Sequence, residues 1–218
     1  RLLSWEAAAD RSIAEITWRG ETFELGLPQA GLHNLQNAAM AVAAAIHTGI
    51  APVEAIAAMV SFPGVARRME VVGEAGGVTV VDDFAHHPTA IGVTIAAARQ
   101  RWPGRRLVIA FEPRSLTAAR RSFQDAYLES LSSADLVMVA PPFHRDRLET
   151  SEVIDRNALS AALAGEGVAS VMPGDDEDVV KCLLEVLEPG DVVVGCSSGA
   201  FDAMHRKLID ALQTGDES

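Results

Sequence analysis

The chain has 218 residues, of which 49% are apolar and 22% charged, and its formal net charge is −12. A body this acidic repels phosphate backbones, which argues against nucleic acid as a partner. No apolar run approaches the roughly 18 residues that a membrane-spanning helix needs, so no membrane partner is expected either. Two cysteines, Cys182 and Cys196, supply neither a disulfide framework nor a zinc spacing. Both read as small core residues of a chain in a reducing, cytoplasmic setting.

The chain opens on RLLSWEAAAD, with no initiator Met and no secretory leader, and reads as a piece of something longer. SIAEITWRG and ETFELGLP alternate with a period of two around Gly20, which predicts a β-hairpin. GLHNLQNAAMAVAAAIHTG predicts a buried, Ala-rich helix, and APVEAIAAMVSF a second helix opened by Pro52. FPGVARRME then breaks the helical pattern and reads as a linker carrying two arginines.

Beyond it the pattern becomes strand–helix alternation. The predicted strands are GVTVVDD, RRLVIAFEP, DLVMVAPP, VASVMP and DVVVGCSSG. The helices between and after them are PTAIGVTIAAARQRW, LTAARRSFQDAYLESLSSA, DRNALSAALAGEG, DDEDVVKCLLEVLEPG with acids in its first turn, and AFDAMHRKLIDAL. The terminal QTGDES is expected to fray. Continuous apolar strands separated by helices imply an α/β fold with a doubly wound, Rossmann-like, mostly parallel sheet. Ligands of such sheets sit beyond the carboxyl ends of the strands. That rule selects four loops: DDFAHHP, EPRS, APPFHRDR and GCSSG.

DDFAHHP, residues 82–88, packs two acids and two histidines into six positions. A metal site is one reading, but adjacent histidines diverge on a strand or a helix, and the spacing matches no usual zinc helix. A helix cap is a second reading, with an Asp ahead of the Pro-opened helix and a His bonding local backbone. A third is a nucleotide turn, in which a strand-end carboxylate accepts ribose hydroxyls. Arg67 and Arg68 would then face phosphates. Asn34 and Asn37 lie three apart on one face of a helix start, where they could cap the helix or read an adenine edge.

Three strings, GLHNLQNAAMAVAAA, FPGVARRME and VVDDFAHHPTAI, occur in this order and together resemble the Mur ligases, the ATP-dependent amide-forming enzymes of peptidoglycan synthesis. The resemblance covers nearly the whole chain. It implies that residues 1–63 are the tail of the family's central ATP-binding domain and that residues 64–218 are its Rossmann-like C-terminal domain. It places ATP against His33, Asn34, Asn37, Arg68 and Asp83, with the adenine on the two asparagines, the phosphates on Arg68 and the ribose on Asp83. His86 and His87 match the DDxxHHP signature of members that use UDP-N-acetylmuramate itself.

Two such activities are implied. One adds L-alanine; the other adds the tripeptide L-Ala-γ-D-Glu-meso-diaminopimelate in cell-wall recycling. FEPRSLT, residues 111–117, resembles the tripeptide-adding members, as does GCSSGAFDAMHRKLIDAL. His86, His87, Arg114, Ser115 and Ser198 are the candidates for the incoming peptide, since guanidinium forks suit its carboxylates. Arg145 and Arg147 lie in a neighbouring loop and read more simply as solvated. The amides of the Ser197–Gly199 turn could hold an anion or merely close a packing turn.

The chemistry implied is phosphorylation of a carboxylate to an acyl phosphate, followed by amine attack, with ATP and magnesium. No GxxxxGK[ST] is present, and the only lysines are Lys181 and Lys207. The magnesium ligands are therefore expected mostly elsewhere in the central domain, no metal ligand is assigned here, and the chain alone is expected to be inactive. Its expected contribution is a lid that closes over the acyl phosphate and excludes water. A non-catalytic Rossmann-like nucleotide-binding module is the alternative from another class. A nicotinamide oxidoreductase fits less well, because no GxGxxG follows a strand.

Overall fold

The computed structural model describes residues 1–7 and 11–215. Two compact units emerge, Arg1–Ala66 with Ala96–Pro103, and Arg67–Ile95 with Gly104–Ser218.

In the first unit β1 (Leu2–Ala7), β2 (Ser12–Trp18) and β3 (Glu21–Leu27) form an antiparallel sheet in that order. The expected hairpin is present. Trp18 pairs with Glu21, leaving Arg19 and Gly20 as a two-residue turn with φ of 50° and 88°. Positive φ at both positions gives the turn the right-handed twist of the strands it joins. β1 was not anticipated from the sequence; it pairs with β2 through an irregularity between Leu2 and Ser4. Helices α1 (Leu32–His47) and α2 (Pro52–Val60) follow as expected. Ala14, Ile16, Leu25 and Leu27 of the strands bury against Leu35, Ala38 and Val42 of α1 and Ala55 of α2. The helical positions recur three and four apart, so one stripe of α1 faces this core.

The second unit is built on a six-stranded sheet of order β4-β5-β9-β6-β7-β8. Its strands are β4 (Glu70–Ala75), β5 (Val78–Asp83), β6 (Leu107–Phe111), β7 (Leu136–Val139), β8 (Ala169–Val171) and β9 (Val192–Cys196). Five run parallel, and β4 alone is antiparallel, paired with β5 at the edge. β4 was not anticipated from the sequence, where only the linker FPGVARRME and the strand GVTVVDD were expected. Its register shifts between Val71 and Gly73, and most of its residues are exposed.

The helices are α3 (Pro88–Arg101), α4 (Gln124–Leu131), α5 (Arg156–Gly165), α6 (Val179–Leu184) and α7 (Met204–Gly215). Val78, Val80, Val108, Ala110, Met138 and Val193 form a core with Val180 and Leu183 of α6 and Met204 and Leu208 of α7. The alternate side chains of the same strands point the other way. There the Phe111 ring packs on Tyr127 of α4, centroids 4.8 Å apart, and Asp83 meets Thr94 of α3. Both faces are covered, which is why these strands are apolar without alternation.

Three helical expectations change. The single helix expected over residues 116–134 is a turn, a 3-10 segment Arg121–Phe123 and then α4. Its first part is drawn into tertiary pairing, because Arg120 bridges Val153 and the Ile154 amide donates to the Ala119 carbonyl. α6 is short, because Asp178 caps it by accepting from the Val180 amide, so the acids before it lie outside the helix. The terminal helix runs through Gly215, so Gln213 and Thr214 do not fray; residues 216–218 lie outside the described set.

Candidate functional site

The carboxyl ends of β5, β9, β6 and β7 are neighbours in the sheet, so the four loops selected from the sequence converge on one edge. Asp83 ends β5 and is 2% exposed. Its Oδ2 accepts from the Met69 amide at 2.9 Å, and its Oδ1 accepts from the Ala85 amide at 2.8 Å and the Thr94 hydroxyl at 3.2 Å. Three protein donors occupy the carboxylate expected at a ribose. In this geometry Asp83 shapes the turn instead of offering oxygens to solvent.

The two arginines ahead of β4 divide sharply. Arg67 is engaged: Nε donates to Asp82 Oδ2 at 2.9 Å, and Nη2 reaches Asp82 Oδ1 at 3.3 Å and the carbonyls of Ser197 and Gly199 at 2.9 and 2.7 Å. Arg68 is exposed, its guanidinium 5.8 Å from the centre of the Phe84 ring, and it makes no hydrogen bond or ion pair among the described residues. Of the pair, Arg68 is the one whose guanidinium is left exposed.

His86 and His87 diverge. The Nδ1 of His86 lies 2.9 Å from the Phe84 carbonyl and its ring meets Phe84 edge-on, while exposed His87 packs on Phe123. The His86 carbonyl accepts from the Tyr127 hydroxyl at 2.9 Å, and burial pushes that phenol well above its ordinary pKa. The backbone-bonding histidine in the cap reading is therefore His86. The acid that stabilises the turn is Asp83, through the Ala85 amide.

Across the edge, after β6, Arg114 stacks on Phe143 with its guanidinium carbon 3.9 Å from the ring centre, and Nη1 lies 3.5 Å from Glu112 Oε1. The Arg114 stem lies flat on Gly199; a Cβ there would come within 2.0 Å of Arg114 Cδ, so only glycine leaves room for this stack. Ser115 is half-buried. Its Oγ accepts from the Ala118 amide at 3.0 Å and closes a local turn. Ser198 is half-buried, and the structured hydroxyl in this loop is its neighbour. Ser197 is fully buried, donates to Glu112 Oε2 at 2.5 Å and accepts from the Gly199 amide at 2.9 Å. Arg147 is exposed, and the side chain of Arg145 lies outside the described residues.

Sequence reasoning gave no role to Glu112 or His205, and considered Ser197 only for its backbone amide. Glu112 and Ser197 stand inside the selected strings, and only the pairing of β6 with β9 reveals that they meet. His205 sits on α7, where no motif marked it. Its Nε2 lies 3.6 Å from Asp82 Oδ1 and has no hydrogen-bond partner among the described residues. Burial holds this imidazole below its ordinary pKa, against the opposing pull of Asp82. Cys196 is buried beside Asp82 and Asp83, and burial followed by those charges pushes its thiol well up, as suits an inert core position.

In the first unit, α1 starts at Gly31, whose φ is 102° and whose missing Cβ leaves room for the His33 ring. The Asn34 amide donates to the Ala30 carbonyl at 2.8 Å, so that side chain braces the helix start, while Asn37 is exposed.

Among the described residues no three His, Cys, Asp or Glu side chains are grouped to hold a metal ion. Asp82 is engaged by Arg67 and Asp83 by backbone amides, so these two carboxylates do not fit a magnesium site. No helix among the described residues is long and apolar enough to cross a membrane.

The family model described as the Mur ligase glutamate ligase domain matches residues 67–199. The chain belongs to the Mur ligases. Over 214 residues this Mur ligase chain is 37% identical to the UDP-N-acetylmuramate–L-alanyl-γ-D-glutamyl-meso-2,6-diaminoheptandioate ligase of Escherichia coli, covering 95% of the chain and 42% of that protein. A UDP-N-acetylmuramate–L-alanine ligase of Chloroflexus aggregans is also 37% identical, over 183 residues, with 84% of the chain and 38% of that protein covered. Among solved structures, a murein peptide ligase from Psychrobacter arcticus matches 96% of the chain and 44% of its own, at 29% identity and a TM-score of 0.67. A UDP-N-acetylmuramate–alanine ligase from Thermotoga maritima matches 98% of the chain and 46% of its own, with a TM-score of 0.77 at 20% identity, a likeness of fold. The Mur ligase chain therefore spans less than half the length of the curated relatives it matches.

Proposed function

We propose that this chain is part of a cytoplasmic, ATP-dependent ligase that joins UDP-N-acetylmuramate to L-Ala-γ-D-Glu-meso-diaminopimelate, through an acyl phosphate, in peptidoglycan recycling. The observation that carries the reading is the 37% identity, across 95% of the chain, to a ligase whose name states both substrates. Residues 1–63 are assigned to the central ATP-binding domain and residues 64–218 to the C-terminal domain.

Within the second unit the exposed guanidinium of Arg68 is the proposed phosphate contact, and Arg114 on its aromatic shelf is the proposed partner for a peptide carboxylate. A guanidinium fork matches both anions. His86, His87 and Ser198 are retained as peptide-loop positions, whereas Ser115 and Asp83 act by holding their turns. In the first unit Asn34 and Asn37 are the proposed adenine contacts, with His33 beside them in the proposed ATP site; Asn37 is exposed, and Asn34 keeps its amide oxygen while its nitrogen bonds Ala30. The chain carries no phosphate-cradling GxxxxGK[ST] loop, so by itself it is proposed to bind without turning over.

A second reading, UDP-N-acetylmuramate–L-alanine ligase, is favoured by relatives of that name at equal identity. The test supplies the full-length protein with UDP-N-acetylmuramate, ATP and magnesium, offers L-alanine or the tripeptide, and reads products by mass. Ligation of the tripeptide but not alanine is expected. Ligation of alanine alone would overturn the proposal in favour of the second reading.

A further inference from the structure

Arg67 and Met69 both hold left-handed backbone, φ 58° and 52°, on either side of Arg68. Such backbone is strained for a non-glycine residue and persists only where its surroundings over-determine it. Here the surroundings are explicit. The Arg67 amide donates to Glu70 Oε2 at 2.7 Å, and its carbonyl accepts from the Phe84 amide at 2.8 Å. Its guanidinium grips Asp82 and the two carbonyls of the β9 loop and lies 5.2 Å from the centre of the Phe84 ring. The Met69 amide is held by Asp83. Consecutive carboxylates at the end of β5 thus pin the residues before and after Arg68, and the middle side chain is left pointing outward.

We propose that the Arg67–Asp82 pair, locked onto the carbonyls of Ser197 and Gly199, is a clasp that sets the direction in which Arg68 is offered to a nucleotide phosphate. This rests on the reading of Arg68 as a phosphate contact. Arg67 is then a positioning residue that touches no substrate. Lysine cannot replace it, because one ammonium cannot span a carboxylate and two carbonyls in the fixed geometry of a guanidinium fork. The same guanidinium ties the Arg68 turn to Gly199, against which Arg114 lies, so one clasp couples the proposed phosphate and peptide contacts.

The experiment is a double-mutant cycle in the full-length protein, with equilibrium ATP affinity as the readout and thermal unfolding as a control. R68A and R67K are each expected to weaken ATP on the order of tenfold, the loss of one charge-assisted contact. R67K/R68A is expected to be no weaker than R68A, because Arg67 acts only through Arg68. An R67K chain with unchanged affinity beside a weakened R68A overturns the clasp and leaves the nucleotide reading standing. Multiplying losses in the double variant overturn it too, since they make Arg67 an independent contact. An R68A chain of unchanged affinity removes the phosphate reading and the clasp with it. Should R67K fail to fold, D82N unlocks the same fork from the other side and runs through the same cycle with the same three outcomes.

Discussion

Asp83 shows how one side chain can look like a ligand contact and serve the backbone instead. Its two oxygens accept from Met69, Ala85 and Thr94 in a nearly sealed position. An asparagine there keeps one acceptor and turns an amide toward donors on the other side. Asp83→Asn is expected to cost about 1.5–3 kcal/mol of folding stability in a denaturant melt, the range for hydrogen bonds to a charged group. A variant of unchanged stability but weakened ATP affinity would restore Asp83 as a ribose contact. His205 carries a second expectation at this scale. Its folded pKa lies below the ordinary 6.5, so the unfolded chain binds the extra proton. Its contribution is therefore intact above about pH 6.5 and is lost as pH falls below it, with a slope of at most about 1.4 kcal/mol per pH unit. Asp82, Arg67 and Glu70 surround this imidazole, and His205→Gln is expected to flatten that part of the stability–pH curve. At the sheet edge the loops DDFAHHP and EPRS were legible in the sequence because strand ends mark ligand loops, although the contact of Glu112 with Ser197 was not. His205 was not, since a lone histidine on an amphipathic helix carries no signal until the helix is docked.

At the scale of elements, local chemistry decided the clearest cases. The β2–β3 hairpin was legible because alternation flanks a glycine, and its turn adopts positive φ at Arg19 as well as Gly20. Arginine is a poor choice for the first position of such a turn, whereas Asn-Gly is the favoured pair. Arg19→Asn is expected to stabilise the chain by about 0.4–1 kcal/mol, a shift of a few degrees in thermal midpoint, after allowing for the loss of its loose contact with Trp18. Elements whose formation depends on distant partners were not legible. β1 has its register set by β2, and β4 has the exposed, glycine-flanked sequence of a loop until β5 supplies a ladder. The helix expected after β6 failed for the converse reason. Its residues have helical preference, but pairing with Val153 and Ile154 takes Ala119 and Arg120 first. Tertiary bonds outweigh propensities worth a few tenths of a kcal/mol per residue.

For the whole molecule, the charge of −12 sets the far field while a few arginines set the near one. A polyanion samples the first and a nucleotide bound at one guanidinium samples the second. The chain is accordingly expected to pass a heparin column unretained at physiological salt; retention would mean that the arginines form a continuous basic stripe. The sheet itself has another consequence. A parallel sheet with fully apolar strands is a ready template for a foreign strand wherever an edge lies open. Here one edge is β4, reversed in direction, broken in register between Val71 and Gly73 and bearing Glu70 and Glu74. The other is β8, three residues long. A bent, charged border and a very short one leave little straight ladder to extend, so the fold carries its own guard against fibrillar growth. Straightening β4 by deleting the residue that makes its bulge would remove that guard while leaving the buried strands as they are.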